Sequence, residues 1–185
     1  AQRHTPFHVA DYGAVGDGST NDAAAIQAAI DAAEASSAFF SPVVEFDCKD
    51  YFLGTTTITL RKASLHGRGA LLTAGTGSNT VLSVTGANAG LHVLICDLQI
   101  RKAFPAATPL AINTLTGVGI ELNGAAWWSL ERVEVDRFAK GIRIIDSAYS
   151  NMDKCIVSDC TYGIELTTSS TAAAYTTNIN VAGTT

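Results

Sequence analysis

Gly119-Ile120-Glu121-Leu122, Gly141-Ile142-Arg143-Ile144 and Gly163-Ile164-Glu165-Leu166 are three copies of one short pattern, set at a constant interval. The same interval aligns Leu130 with Met152, Val133 with Cys155 and Thr177, Val135 with Val157 and Ile179, and Phe138 with Cys160. What repeats is side-chain character at fixed positions rather than identity. An interval of about 20 to 25 residues holding two or three short alternating strands is the pattern of a solenoid, whose copies bury their apolar faces against their neighbours. The Leu-x-x-Leu-x-Leu-x-x-Asn frame of leucine-rich repeats is absent, and so are calcium-binding nonapeptides.

A right-handed, single-stranded parallel β-helix fits this pattern. Each coil of about 22 residues stacks roughly 4.8 Å from the next, and inward Val, Ile, Leu and Cys side chains line up along the axis. Asp97-Leu-Gln-Ile100 resembles Arg132-Val-Glu-Val135 at an offset longer than one coil. The surplus predicts a loop between Arg101 and Gly117, and Pro105 to Pro109 fits such a loop. Upstream, Val43–Phe46, Thr57–Leu60 and Leu82–Val84 read as further short strands.

Only one stretch reads as a helix. Between Ala23 and Ala38 the chain is rich in alanine, and Ile26, Ala29, Ile30 and Ala33 recur at helical spacing. Ser19 to Asp22 has the spacing of a capping box, and Gln27, Asp31 and Glu34 fall away from the apolar stripe. Ahead of it, Phe7, Val9 and Tyr12 alternate as an extended lead-in ending in Gly13-Ala-Val-Gly-Asp-Gly18. The first coil of a β-helix exposes an unpaired strand edge and an open core. The helix is the expected cap on that end. The chain thus reads as all-β in two parts, a lead-in with a capping α-helix over 1–40 and coils over 41–185. Residues 172–185 begin another coil and stop inside it, so a longer protein or covering partner chains are expected.

Composition narrows the function classes. Apolar residues make up 47% and charged residues 16%, against roughly 25% charged in an average globular chain, so the chain can fold. A net charge of −5 argues against nucleic acid as a partner. Nothing approaches about 18 consecutive apolar residues, so no membrane insertion is expected. Cys48, Cys96, Cys155 and Cys160 form no C-x-x-C pair and read as buried free thiols. His4, His8, His66 and His92 are dispersed, no metal site is expected, and no cofactor is called for.

The stretch Val9-Ala-Asp-Tyr-Gly-Ala-Val-Gly-Asp-Gly-Ser-Thr-Asn-Asp-Ala-Ala-Ala-Ile-Gln-Ala-Ala-Ile-Asp-Ala-Ala33 closely resembles the opening motif of the pectate-lyase-like β-helix superfamily. Ser64-Leu-His-Gly-Arg-Gly69 is similar to its early-coil glycine turn. The resemblance implies a helix-capped parallel β-helix and a carbohydrate-related function. It is nearest to the amino-terminal part of a bacteriophage tailspike or polysaccharide depolymerase. That implies a bacterial surface polysaccharide as partner, a homotrimer, and a place in the virion tail. Alternatives are a secreted, extracellular polysaccharide lyase or hydrolase, and a non-catalytic structural or glycan-binding segment. The polygalacturonase catalytic carboxylates are missing, because the matching positions hold Thr116-Gly-Val118, Ala139-Lys140 and Thr161-Tyr162. The calcium-site carboxylate clusters of pectate lyases are not evident either.

Stacking makes residues one repeat apart into neighbours, and this yields the catalytic candidates. Glu121, Arg143 and Glu165 form an outward ladder of alternating charge: a carboxylate pair around an arginine, or a surface ion-pair ladder that secures register. Glu131 and Asp153 fall one coil apart, about 5 Å, the separation of the carboxylates in retaining glycosidases. Arg132 and Lys154 beside them could equally neutralise a turn. Trp127 and Trp128 are the substrate-binding candidates, since aromatic faces stack on sugar rings; core packing or an interface is the other reading. Asp17 and Asp22 are expected in turn and helix-end roles.

Overall fold

The computed structural model describes residues 6–36, 41–86, 92–103, 114–168 and 177–182, the last range and 148–150 as backbone only. The strands are β1 (Phe7–His8), β2 (Asp17–Asn21), β3 (Val43–Glu45), β4 (Asp50–Gly54), β5 (Ile58–Leu60), β6 (Ser64–Ala74), β7 (Thr80–Thr85) and β8 (Val93–Lys102). They continue with β9 (Val118–Asn123), β10 (Ala126–Asp136), β11 (Lys140–Ile145), β12 (Ala148–Asp153), β13 (Ile156–Ser158), β14 (Tyr162–Thr167) and β15 (Thr177–Ala182). The helix α1 spans Ala23–Ser36. The chain visits two sheets in turn. The first runs β1-β3-β6-β8-β10-β12-β15, with β2, β4 and β13 alongside, and the second runs β5-β7-β9-β11-β14. All pairings are parallel, the arrangement of a right-handed parallel β-helix.

Register confirms the repeat at residue level. Ile120 lies against Ile142 and Ile142 against Ile164, with Leu122, Ile144 and Leu166 beside them. Leu130 meets Met152, and Val135 meets Val157. The longer offset is also correct, since Val133 pairs with Leu98 and Val135 with Ile100. One alignment fails. Thr177 pairs with Ala148 and Ile179 with Ser150, because the chain between those strands is longer than one regular coil. The expected loop at 105–109 lies outside the described residues.

Glycine recurs in this pattern for a steric reason. A Cβ on Gly119 would lie 2.3 Å from Val135 Cγ1 and 2.7 Å from the Gly141 carbonyl oxygen. On Gly141 it would lie 2.2 Å from Val157 Cγ1 and 2.7 Å from the Gly163 oxygen. At Gly119 and Gly141 the second sheet therefore approaches the valine column too closely for any side chain.

Corners are made by residues in the left-handed region. Asp97, Arg132 and Lys154 (φ 54°, 53° and 53°) turn the long strands of the first sheet, and Arg137 and Asp159 (70° and 48°) turn the next corner. Such a residue bends the chain without a loop, so β8 and β10 cross the corner as single strands. Short polar side chains tolerate this conformation best, while arginine and lysine there carry a modest cost.

The cap closes the first coil chemically as well as sterically. Ala23, Ile26, Ala29, Ile30 and Ala33 are buried, and α1 packs on β1, β3, β4 and β5. The polar positions expected to face away do not all do so. Gln27 accepts a hydrogen bond from the Thr59 N–H (2.9 Å) and donates one to the Thr59 carbonyl (3.0 Å), as a neighbouring strand would. Glu34 Oε1 accepts from the N–H groups of Arg61, Lys62 and Ala63 at 2.6, 2.9 and 3.2 Å. Since β5 is the end strand of its sheet, the helix supplies the partners that a preceding coil would otherwise give.

Two local expectations are corrected. Ser19 lies in β2 and makes no cap; Asn21 Oδ1 accepts the Ala23 N–H at 3.0 Å instead. The Asp22 carboxylate is buried and takes the N–H groups of Val15 (2.7 Å) and Gly16 (3.0 Å), holding the turn-rich run against the helix start. Val9–Tyr12 forms a 3-10 turn rather than continuing the extended lead-in.

Candidate functional site

The register gathers polar side chains into one row across the first sheet. His8 pairs with Glu45, Glu45 with His66, His66 with Cys96, Cys96 with Glu131, and Glu131 with Asp153. Next to the row runs the corner formed by Asp97, Arg132 and Lys154, with Arg68 (φ 54°) on the coil before. Arg68, Asp97, Gln99, Arg132 and Glu134 line a surface cavity of about 320 Å³. Coil spacing puts successive members roughly 4.8 Å apart, so the row forms a ladder along the axis.

Its charges are tied in pairs. Arg132 makes a bidentate bond to Asp97, Nε to Oδ1 at 2.6 Å and Nη2 to Oδ2 at 2.9 Å, and approaches Glu131 at 3.6 Å. Arg68 pairs with Glu45 at 3.2 Å, and Lys154 with Asp153 at 3.7 Å. The Arg132 hydrogen bonds hold the Asp97 carboxyl below the usual carboxylate range, with partial burial opposing. A depressed folded pKa means the stabilisation is present above the unfolded carboxylate's value of about 3.9 and is lost as pH falls through the folded value. Asp97→Asn is expected to remove this part of the acid sensitivity below about pH 4. At neutral pH it should cost no more than about 1 kcal/mol, because the pair is solvent-screened; acid denaturation of both proteins is the check.

Cys96 sits mid-row as a buried thiol. Burial, then the Asp97 carboxylate, pushes its thiol up to about 11. Burial also raises the thiols of Cys155 and Cys160. All four cysteines are free, but only Cys96 is buried and Cys48 is exposed, which corrects the uniform burial expected. Iodoacetamide at about pH 8 is expected to label Cys48 first and Cys96 last, as peptide mass mapping would show.

The other candidates fall elsewhere. Glu121, Arg143 and Glu165 stack in register on the second sheet. Arg143 lies 3.4 Å from Glu121 and 3.1 Å from Glu165, the latter contact missing hydrogen-bond geometry, and Lys140 adds a 2.7 Å pair to Glu165. Glu131 and Asp153 are direct neighbours on the first sheet. Thus the two carboxylate sets lie on different sheets and do not form one centre. Trp127 is 47% exposed with φ 58°, whereas Trp128 is buried in the core at 1% and presents nothing to a glycan.

Sequence reasoning passes over His66, Arg68, Asp97, Gln99 and Glu134. The signal for Asp97 is present in the chain: the offset that aligns Leu98 with Val133 also sets Asp97 against Arg132. Among the described residues no group of three His, Cys, Asp or Glu could hold a metal ion, and no helix is long and apolar enough to cross a membrane.

A family described as rhamnogalacturonase A/epimerase, pectate lyase-like, matches residues 7–44, the stretch from β1 through α1 into β3. Among solved structures, the chain is similar to the A-module of the Azotobacter vinelandii mannuronan C-5 epimerase AlgE4, with TM-score 0.59, 19% identity, and 86% of this chain covered against 53% of that one. The Streptococcus pneumoniae surface protein and adhesin PfbA gives TM-score 0.61, 22% identity, and coverages of 82% and 40%. ORF18 of Geobacillus virus E2 gives TM-score 0.60, 21% identity, and coverages of 80% and 29%. The chain therefore spans about half or less of these relatives in fold. No curated protein matches it. This protein has a parallel β-helix fold, one shared by an epimerase of mannuronan, a surface adhesin and a viral protein, and the pectate-lyase-like match lies in its amino-terminal stretch.

Proposed function

We propose that this chain is a section of a phage tailspike or related receptor-binding protein that binds a bacterial surface polysaccharide along its coils. The observation that carries this reading is the row His66, Cys96, Glu131 and Asp153 at coil spacing, with the corner cavity of Arg68, Asp97, Gln99, Arg132 and Glu134 beside it. A repeating polymer is matched by a repeating surface, and a rigid solenoid orders no loops on binding. The viral neighbour in fold supports the setting; three copies in the virion tail are part of the proposal. Its test is binding of purified bacterial surface polysaccharides to the chain, together with its mass in solution by light scattering. Arg132→Ala is expected to weaken binding about tenfold. Absence of binding to every surface polysaccharide would overturn the reading. A monomer that binds would point to a secreted lyase or hydrolase.

The second reading adds cleavage, favoured by the direct pairing of Glu131 with Asp153. One carboxyl would protonate the leaving oxygen while the other attacks or activates water. Chain length of the bound glycan decides it: cleavage is expected to vanish in Glu131→Gln. If Glu121→Gln and Glu165→Gln abolish it instead, the second-sheet ladder is the centre.

A further inference from the structure

We infer that the glycan taken at the corner is uncharged, built of neutral or N-acetylated sugars rather than uronates; this rests on the glycan-binding reading above. Three cations stand there, Arg68, Arg132 and Lys154, against the carboxylates of Glu45, Asp97, Glu131, Glu134 and Asp153. Each cation already faces one of those carboxylates, at 3.2, 2.6 and 3.7 Å respectively. Glu134 is exposed and has no ion pair among the described residues. Just along the same strands, Arg101 and Arg137 share the one carboxylate of Asp136 at 3.1 and 3.3 Å. With them included the corner holds six carboxylates against five cations, so it stays net negative and every cation faces a carboxylate.

A polyuronate carries one negative charge per sugar. To bind it, the corner would have to pull Arg132 off Asp97 or Arg68 off Glu45, leaving a carboxylate beside an incoming anion. The second sheet offers no better surface. Arg143 and Lys140 are turned onto Glu121 and Glu165. On the first sheet, at the end of β8, Lys102 is buried and donates to the carbonyls of Gly77 and Thr116 and to the Thr116 hydroxyl. What remains is a fixed array of donors and acceptors. Paired carboxylates keep lone pairs for sugar hydroxyls, and the Gln99 amide both donates and accepts.

The test is titration of the whole chain with a panel of neutral bacterial O-polysaccharides, with polygalacturonate and with mannuronan, at about 50 and about 300 mM NaCl. At least one neutral glycan is expected to bind, its Kd changing less than about twofold with salt, and neither polyuronate to bind. Polyuronate binding that weakens more than about fivefold with salt would overturn the inference and leave the glycan-binding reading intact. Binding of neither class would overturn both. Glu134→Lys, which places a cation in the cavity lining, is expected to add polyuronate binding that weakens with salt; a Glu134→Lys chain that still binds no polyuronate would count against the inference.

Discussion

Gly119→Ala is expected to lower the unfolding free energy by about 3 kcal/mol, at the upper end of what overpacking costs. The added carbon would lie 2.3 Å from Val135 Cγ1 and 2.7 Å from the Gly141 oxygen. A valine methyl can rotate away, but a backbone oxygen in a parallel ladder cannot move without stretching its own hydrogen bond. Gly163→Ala is the matched control. It occupies the same repeat position, yet its nearest described neighbour is 3.9 Å away, and a cost below about 0.5 kcal/mol is expected. Urea denaturation with an unchanged m-value would measure both. Equal costs at the two positions would contradict the stacked-coil account of the glycine column.

Glu34→Ala is expected to cost about 2 to 3 kcal/mol, and Glu34→Gln about 1 kcal/mol. One carboxylate oxygen accepts three successive N–H groups at the end of β5, bonds strengthened by its charge. Alanine leaves those donors to water beneath a helix that only partly admits it. The amide keeps an acceptor but loses the charge. The alanine variant should also aggregate more readily, because a loosened helix uncovers the end strand of the second sheet. Thermal unfolding with light scattering would register both effects; a variant as stable and monodisperse as the parent would show that α1 caps by burial alone.

The coils are legible because their geometry is regular. A strand must repeat its inward positions, so Ile120, Ile142 and Ile164 announce themselves without any structure in hand. Thr177 and Ile179 are misplaced by the repeat because the interval lengthens there, and periodicity has no way to register an insertion. The docking of Gln27 and Glu34 is hidden for a different reason. Helical spacing identifies the apolar stripe but not a strand edge waiting beside it, so polar residues one step off the stripe read as solvent-facing. Trp127 and Trp128 cannot be told apart in the sequence, because the left-handed backbone at Trp127 resets the alternation that would have assigned them. The corner site is half legible. Glu131 and Asp153 follow from the repeat, while His66 and Arg68 belong to an early coil whose offset from the later ones is irregular. Leu65 pairs with Ile95 but Ala70 with Leu98, so the register slips between His66 and Ala70.

The central claim is that a surface polysaccharide lies along the corner of the first sheet. Hydrogen–deuterium exchange of the chain, with and without the tightest-binding polysaccharide of the panel, tests it most directly. The account predicts slowed exchange at 66–69, 96–99 and 131–134, with β9 and β11 unchanged. Protection confined to β9 and β11, around Glu121 and Arg143, would contradict it.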